Sequence, residues 1–166
     1  MISSELLRHY PFFAGLSNEQ IVALAKMSRE LTVEADYYFF HEGDAMNNFY
    51  LVVEGVVAIV IHVPEPDVEH KISEQLTGTM QTSDIVISAV GPGEVFGWSA
   101  LVPPHKAMAG AKATTPCRVV AFDCLELRRN FEDDCRFGYL MTQKAAQIIR
   151  ERLHAMRVES LAHSVL

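Results

Sequence analysis

The chain has 166 residues, with 14 Lys and Arg against 21 Asp and Glu for a formal net charge of −7, and 49% of its side chains are hydrophobic. That profile predicts one soluble domain, long enough to bury about 70% of the surface its unfolded form exposes and to build a core without disulfides or a structural metal. The acidic balance excludes a general polyanion binder, since duplex DNA demands a basic face. Residues 1–127 carry 7 basic and 16 acidic side chains, and only residues 128–166, with 7 and 5, lean basic.

Glu5, Arg8 and His9 interrupt the first ten residues, so the apolar stretch of a signal peptide is missing there. Every apolar run is broken well before the roughly 18 residues that a membrane span needs. The expected location is cytoplasmic, with no membrane partner. Cys117, Cys124 and Cys135 have neither CxxC nor zinc-finger spacing, and are expected to be reduced thiols without chemistry.

In chain order, residues 1–30 read as helical. Ser17 followed by Gln20 forms a capping box ahead of Ile21, Val22, Leu24, Ala25 and Met27, which share one helix face. Leu6, Leu7, Tyr10, Phe12 and Phe13 are too apolar for a free tail and should dock on the same core. From residue 31 to 63 the period changes: β-branched and aromatic residues alternate with Glu42, Gly43 and Asp44 and then with Glu54 and Gly55, the pattern of short strands joined by tight turns. Further strands are expected at 85–90 and 118–123, which suggests a β-sandwich or jelly roll. Between them, 64–84 reads as a polar insertion, a solvated loop in which Val68, Ile72, Leu76 and Met80 recur every fourth position. From about residue 133 to 161, Met141, Ala145, Ile148, Ile149, Leu153 and Met156 recur at helical spacing, while Arg150, Arg152 and Arg157 point largely elsewhere. A rod of about 40 Å, at 1.5 Å per residue, outruns a small barrel, so part of its apolar stripe should meet another chain.

The most informative stretch is 91–106. Gly97 frees the backbone, 98–102 can make one helical turn, and Pro103 and Pro104 end it. Backbone donors converging at the start of such a turn form an anion site, and a cation a few residues later completes a phosphate cradle. Lys106 is that cation.

On these residues, together with the opening Tyr10, Pro11, Phe12, Phe13, the strand pair at 40–44 and 49–55 with its glycines Gly43 and Gly55, and the run Gly93, Glu94, Val95, Phe96, Gly97, Trp98, the chain resembles the cyclic nucleotide-binding domains. The resemblance covers nearly everything from residue 6 to 161. It implies a mainly β fold with flanking α-helices: a jelly-roll-like β-roll, or double-stranded β-helix, at 31–127, N-terminal helices at 1–30 and a long C-terminal helix at 131–162. It also implies a phosphate cassette made of Phe96, Gly97, Trp98, Ser99, Ala100, Lys106 and Ala107. Lys106 stands where the family has its phosphate-binding arginine, and Trp98 where it has the glutamate that accepts the ribose 2′-hydroxyl. Lysine keeps the charge and loses the two-point fork. The indole offers only a donor, so it either stacks on a ligand or packs beneath the roll. Hydrogen bonds to charged groups contribute on the order of 1.5 to 3 kcal/mol, so each loss weakens binding about ten- to a hundredfold.

The function expected from these residues is a non-catalytic regulatory module. A small anionic ligand, cyclic AMP or cyclic GMP, would bind inside the roll, and the C-terminal helix would signal its presence and pair two copies as a homodimer. The alternative is a ligand-free dimerisation or protein-interaction module with a degenerate pocket. The histidines at 41, 62, 70 and 105 supply no His-x-His pair for a cupin metal centre, and no GxSxG elbow marks a hydrolase, so neither catalytic nor metal-ligating residues are expected. His41 and His105 are expected to be structural, and Glu94 to be a turn residue facing water. Relatives often carry a helix-turn-helix after the long helix. This sequence ends at Leu166, so direct DNA binding is not expected.

Overall fold

The computed structural model describes residues 2–64 and 82–164. Two short helices, α1 (Ser4–Arg8) and α2 (Asn18–Lys26), flank a 3-10 turn at Pro11–Phe13. The capping box is present: the Ser17 hydroxyl accepts from the Gln20 amide, and the Gln20 side chain accepts from the Ser17 amide. The helical segment ends before residue 30. The Ser28 hydroxyl donates to the Ala25 carbonyl at 2.7 Å, tying off one of the helix's orphan acceptors, and β1 (Ser28–Val33) starts at once.

The strands β2 (Tyr38–Phe40), β3 (Asn48–Glu54), β4 (Val57–Pro64), β5 (Thr82–Val90), β6 (Val95–Phe96), β7 (Gly110–Ala113) and β8 (Cys117–Asp123) complete two four-stranded antiparallel sheets, ordered β1-β8-β3-β6 and β2-β7-β4-β5. The expected β-roll with flanking helices is therefore the observed fold. Strand alternation sorts its two cores. Tyr50 and Val52 of β3 and Val119 and Ala121 of β8 face the roll interior, where they meet Val57, Ile59, Val90, Phe96, Ala111 and Ala113. Their neighbours Phe49, Leu51, Val120 and Phe122 face outward, under Leu7, Phe13, Ile21, Leu24, Phe137 and Met141 of the helical layer. Phe49 and Phe122 stack at 4.4 Å between ring centres. A sheet buried on both faces needs apolar residues at consecutive positions, and β3 and β8 have them.

The insertion is shorter than the sequence suggests. The β4–β5 ladder runs on to Ile61↔Ile85, His62↔Asp84 and Pro64↔Thr82, with Asp84 also bonded to the Tyr38 hydroxyl, so both ends of the expected 64–84 loop belong to strands. Residues 65–81, with the Val68, Ile72, Leu76, Met80 series, lie outside the described residues. The turn after β3 requires glycine: Gly55 has φ +89°, and a Cβ there would fall 2.4 Å from the Pro116 carbonyl oxygen.

The C-terminal helix departs from its expected range as well. Asp123 caps a separate helix, α3 (Cys124–Asp133), accepting from the Leu125 and Glu126 amides, so the roll ends before 127. After Asp134, α4 (Cys135–Ser164) spans 30 residues, about 45 Å at 1.5 Å per residue. Asp134 accepts the Phe137 amide at 2.9 Å and the Gln20 side-chain amide at 3.0 Å, which joins the capping box of α2 to the start of α4. Along α4, Phe137, Met141 and Ala145 are buried, while Tyr139, Leu153, Met156, Val158 and Leu161 are exposed.

Candidate functional site

The segment singled out by sequence follows β6. Gly97 is left-handed at φ +77°, and a Cβ there would sit 3.2 Å from both the Asn48 carbonyl oxygen and the Tyr50 ring. Only glycine fits without displacing β3. From this kink Trp98–Ala100 makes a 3-10 turn, closed by Ala100 N–H to the Gly97 carbonyl at 3.1 Å and Leu101 N–H to the Trp98 carbonyl at 2.9 Å. The first amides of such a turn have no partner within it, which is the property the phosphate reading relies on. Phe96, Ser99 and Ala100 are buried, and Trp98 is half-buried.

Against the turn lies a cluster of aromatic rings. Phe96 stacks on Tyr50 at 4.9 Å, and Phe39 lies 5.0 Å from Phe96 and 5.3 Å from Tyr50. Burial raises the Tyr50 hydroxyl pKa above its ordinary value. A cleft of about 280 Å³ opens beside these rings, lined by Phe39, Phe40, Asp44, Met46, Asn48 and Tyr50 among others and by none of residues 96–100. The one ionised side chain in that lining is Asp44, whose sign opposes a phosphate.

Lys106 is exposed. It lies opposite Ala45 in an isolated antiparallel bridge, and its neighbour Ala107 takes the buried side, in the core beneath the helices. Ala107 N–H donates to the Asp44 carbonyl, and the Gly43 amide donates to the Ala107 carbonyl. The structure thus brings 96–100 together as one turn and sets the Lys106 side chain on the solvent side of the adjoining strip. His105 differs from the satisfied structural histidine expected: its φ is +58°, and its Nδ1 is buried without a hydrogen-bond partner among the described residues. The Glu94 side chain accepts the Gly91 amide at 2.7 Å, the role expected of a turn residue.

Two arginines bracket the cassette, and no sequence pattern marks either for that role. The Arg128 guanidinium of α3 donates to the Ala100 carbonyl at 2.8 Å. From α4, Arg152 donates to the Val95 carbonyl at 3.3 Å. Arg152 therefore reaches the roll instead of pointing away from it. Its position four residues after Ile148, on the same helix face, was the available signal.

Among the described residues no group of three or more His, Cys, Asp and Glu could hold a metal ion, and no helix is long and apolar enough to cross a membrane.

A family model described as "Cyclic nucleotide-binding domain" matches residues 30–134. Among solved structures, a Geobacter metallireducens GS-15 protein, provisionally described as cyclic nucleotide-binding, is 30% identical over 93% of this chain and 100% of its own, with a TM-score of 0.75. The catabolite activator protein of Thermus thermophilus is 21% identical over 93% of this chain and 63% of its own, TM-score 0.62. The regulatory domain of Toxoplasma gondii PKA, crystallised with cAMP, is 17% identical over 87% of this chain and 48% of its own, TM-score 0.63. At those identities the last two are likenesses of fold. No curated protein matches.

Proposed function

We infer that this chain, which belongs to the cyclic nucleotide-binding domain family, is a non-catalytic cytoplasmic regulatory module. A small anionic ligand, with cAMP and cGMP the first to test, acts at the cassette, and the C-terminal helices carry the response. The observation that carries this reading is the bracketing of the cassette by Arg128 and Arg152, which tie its two ends to α3 and α4. A shift of the 3-10 turn acts on the Arg128 bond directly, because its acceptor Ala100 belongs to the turn, while the Arg152 acceptor Val95 stands just before the cassette. The ligand can bias the helices only by its differential affinity for the two arrangements, and a charge-assisted bond contributes on the order of 1.5 to 3 kcal/mol to that difference.

The test is an isothermal titration of the full chain with each nucleotide, followed by amide hydrogen exchange. Binding should change protection both at 95–100 and along α4, and Arg128→Met should reduce the α4 response while sparing the response at 95–100. No heat with either nucleotide at millimolar concentration refutes the cyclic-nucleotide part of the reading.

A second reading has its own support. With Phe39, Tyr50 and Phe96 packed on one another against the turn and Lys106 on the solvent side, the cassette is a structural element, and the exposed Leu153, Met156 and Leu161 of α4 join two copies. Silence in the titration, together with a dimeric mass by light scattering, favours this scaffold.

A further inference from the structure

Between the roll and the long helix runs a groove of about 520 Å³, distinct from the cassette and sharing none of residues 96–100, 106 or 107. One wall is the outer end of β5 with Gly93, Glu94 and Val95, the other is α4 from Lys144 to Ala155, and Phe12 closes one side. In a chain with a net charge of −7, two of its lining groups are cations. Neither has a carboxylate within 4 Å among the described residues. Lys144 makes one bond, to the Ala14 carbonyl at 2.7 Å, and lies 5.8 Å from the centre of the Phe12 ring. Arg152 makes one bond, to the Val95 carbonyl, from a side chain that carries five N–H donors.

An unpaired, partly desolvated cation is costly, and a protein retains one where something anionic repays it. Burial lowers the pKa of both groups, and for Arg152 the nearby Glu94 carboxylate offsets only part of that. Glu94 is itself committed to the Gly91 amide, while Glu151, also on the groove, is exposed. Between the two cations the helix wall presents Ile148 along with Gln147 and Glu151, and Phe12, Val90 and Val95 supply apolar lining from the other elements. Lys144 and Arg152 are eight residues apart, about 12 Å along the helix axis, which is too far for both to grip one small head group.

We propose that this groove binds an organic anion with a flat apolar body. Its carboxylate, sulfonate or phosphate head lies on the Arg152 guanidinium, and its body lies against Ile148, Phe12 and Val95, with Lys144 at the far end. The site does not depend on the cassette reading, and loss of cyclic-nucleotide binding leaves it standing.

The test is fluorescence titration of the full chain with 1-anilinonaphthalene-8-sulfonate, beside the uncharged N-phenyl-1-naphthylamine. Losing a charge-assisted bond should weaken sulfonate binding about tenfold or more in Arg152→Gln. Arg157→Gln, exposed on the same helix, should leave it unchanged, and Arg152→Lys should recover part of the loss and serves as the folded control. The naphthylamine should bind about tenfold more weakly than the sulfonate, and inorganic phosphate should compete. Equal sulfonate affinity in Arg152→Gln and the parent, or equal affinity for the two dyes, overturns the proposal.

Discussion

Replacing Gly138 by Ala sets two effects of known size against each other at the corner between α3 and α4. In a helix interior the exchange favours folding by about 1 kcal/mol, because glycine's conformational freedom in the unfolded chain is no longer lost. Against it stands a contact: a Cβ at 138 falls 2.9 Å from the Phe131 Cβ and 3.1 Å from its Cγ. The first of these atoms is fixed to the backbone of α3, so no rotation about χ1 relieves it. The two helices must part by several tenths of an ångström, loosening the edge-to-face pair of Phe131 and Phe137 at 5.0 Å. Such overpacking costs about 1–3 kcal/mol, so the net effect is a loss of about 1 kcal/mol, and Tm should fall by about 2–4 °C in calorimetry or circular dichroism. In a Phe131→Ala background the Cγ contact is gone, and the same exchange should cost less. A Tm raised by Gly138→Ala in the parent would refute the reasoning, since it would mean that α3 and α4 are free to separate.

Thiol reactivity offers a second check. Cys135 is exposed and Cys117 and Cys124 are buried, with burial pushing the Cys124 thiol up to about 12. At pH 8 its thiolate fraction is then about one in ten thousand, so Ellman's reagent should titrate one thiol at once and the others only in denaturant. Two fast thiols in the native protein would contradict the packing described. Acid provides a third. The hydrogen bond from Gln20 holds the Asp134 carboxyl below its ordinary value, helped by the Phe137 amide. At Asp84 the Tyr38 hydroxyl does the same, followed by the charge of His62. A carboxyl depressed in the folded state contributes stability that is complete above its unfolded value, near pH 4, and is lost as pH falls through its folded value. In urea melts, Asp134→Asn should therefore lie below the parent at pH 7 and converge with it toward pH 2. A constant gap across that range would show that Asp134 acts through something other than its charge.

The alternation of strands, the capping box of α2 and the glycine turns are local features, and they were legible because each follows from a few neighbouring residues. The split between α3 and α4 was not read, although Asp123 followed by Glu126 carries the start signal that Ser17 and Gln20 carry for α2. No proline marks the break, and the nearest glycine, Gly138, lies inside α4; Asp134 caps α4 itself by accepting the Phe137 amide, while the Gln20 side chain of α2, 114 residues away in sequence, holds its other oxygen. At the candidate site, the Gly97 kink followed from its own steric freedom. The orientation of Lys106 did not, because it depends on how the chain returns from Pro103 and Pro104 to lie beside Ala45. Arg128 and Arg152 were missed for a related reason: each serves the cassette by donating to a backbone carbonyl, an acceptor that every residue provides and no sequence pattern marks.

Gln20 occupies a position where the rules for starting a helix accept glutamate as readily as glutamine. In this molecule the two are not equivalent. The carboxamide is used at both ends, its oxygen accepting a hydrogen bond from Ser17 N–H while its nitrogen donates one to Asp134. A glutamate would serve the first purpose and place a second negative charge within 3.0 Å of the Asp134 oxygen. One planar amide thus helps to hold the foot of the 30-residue helix, and a substitution that looks silent for α2 would set two carboxylates against each other there.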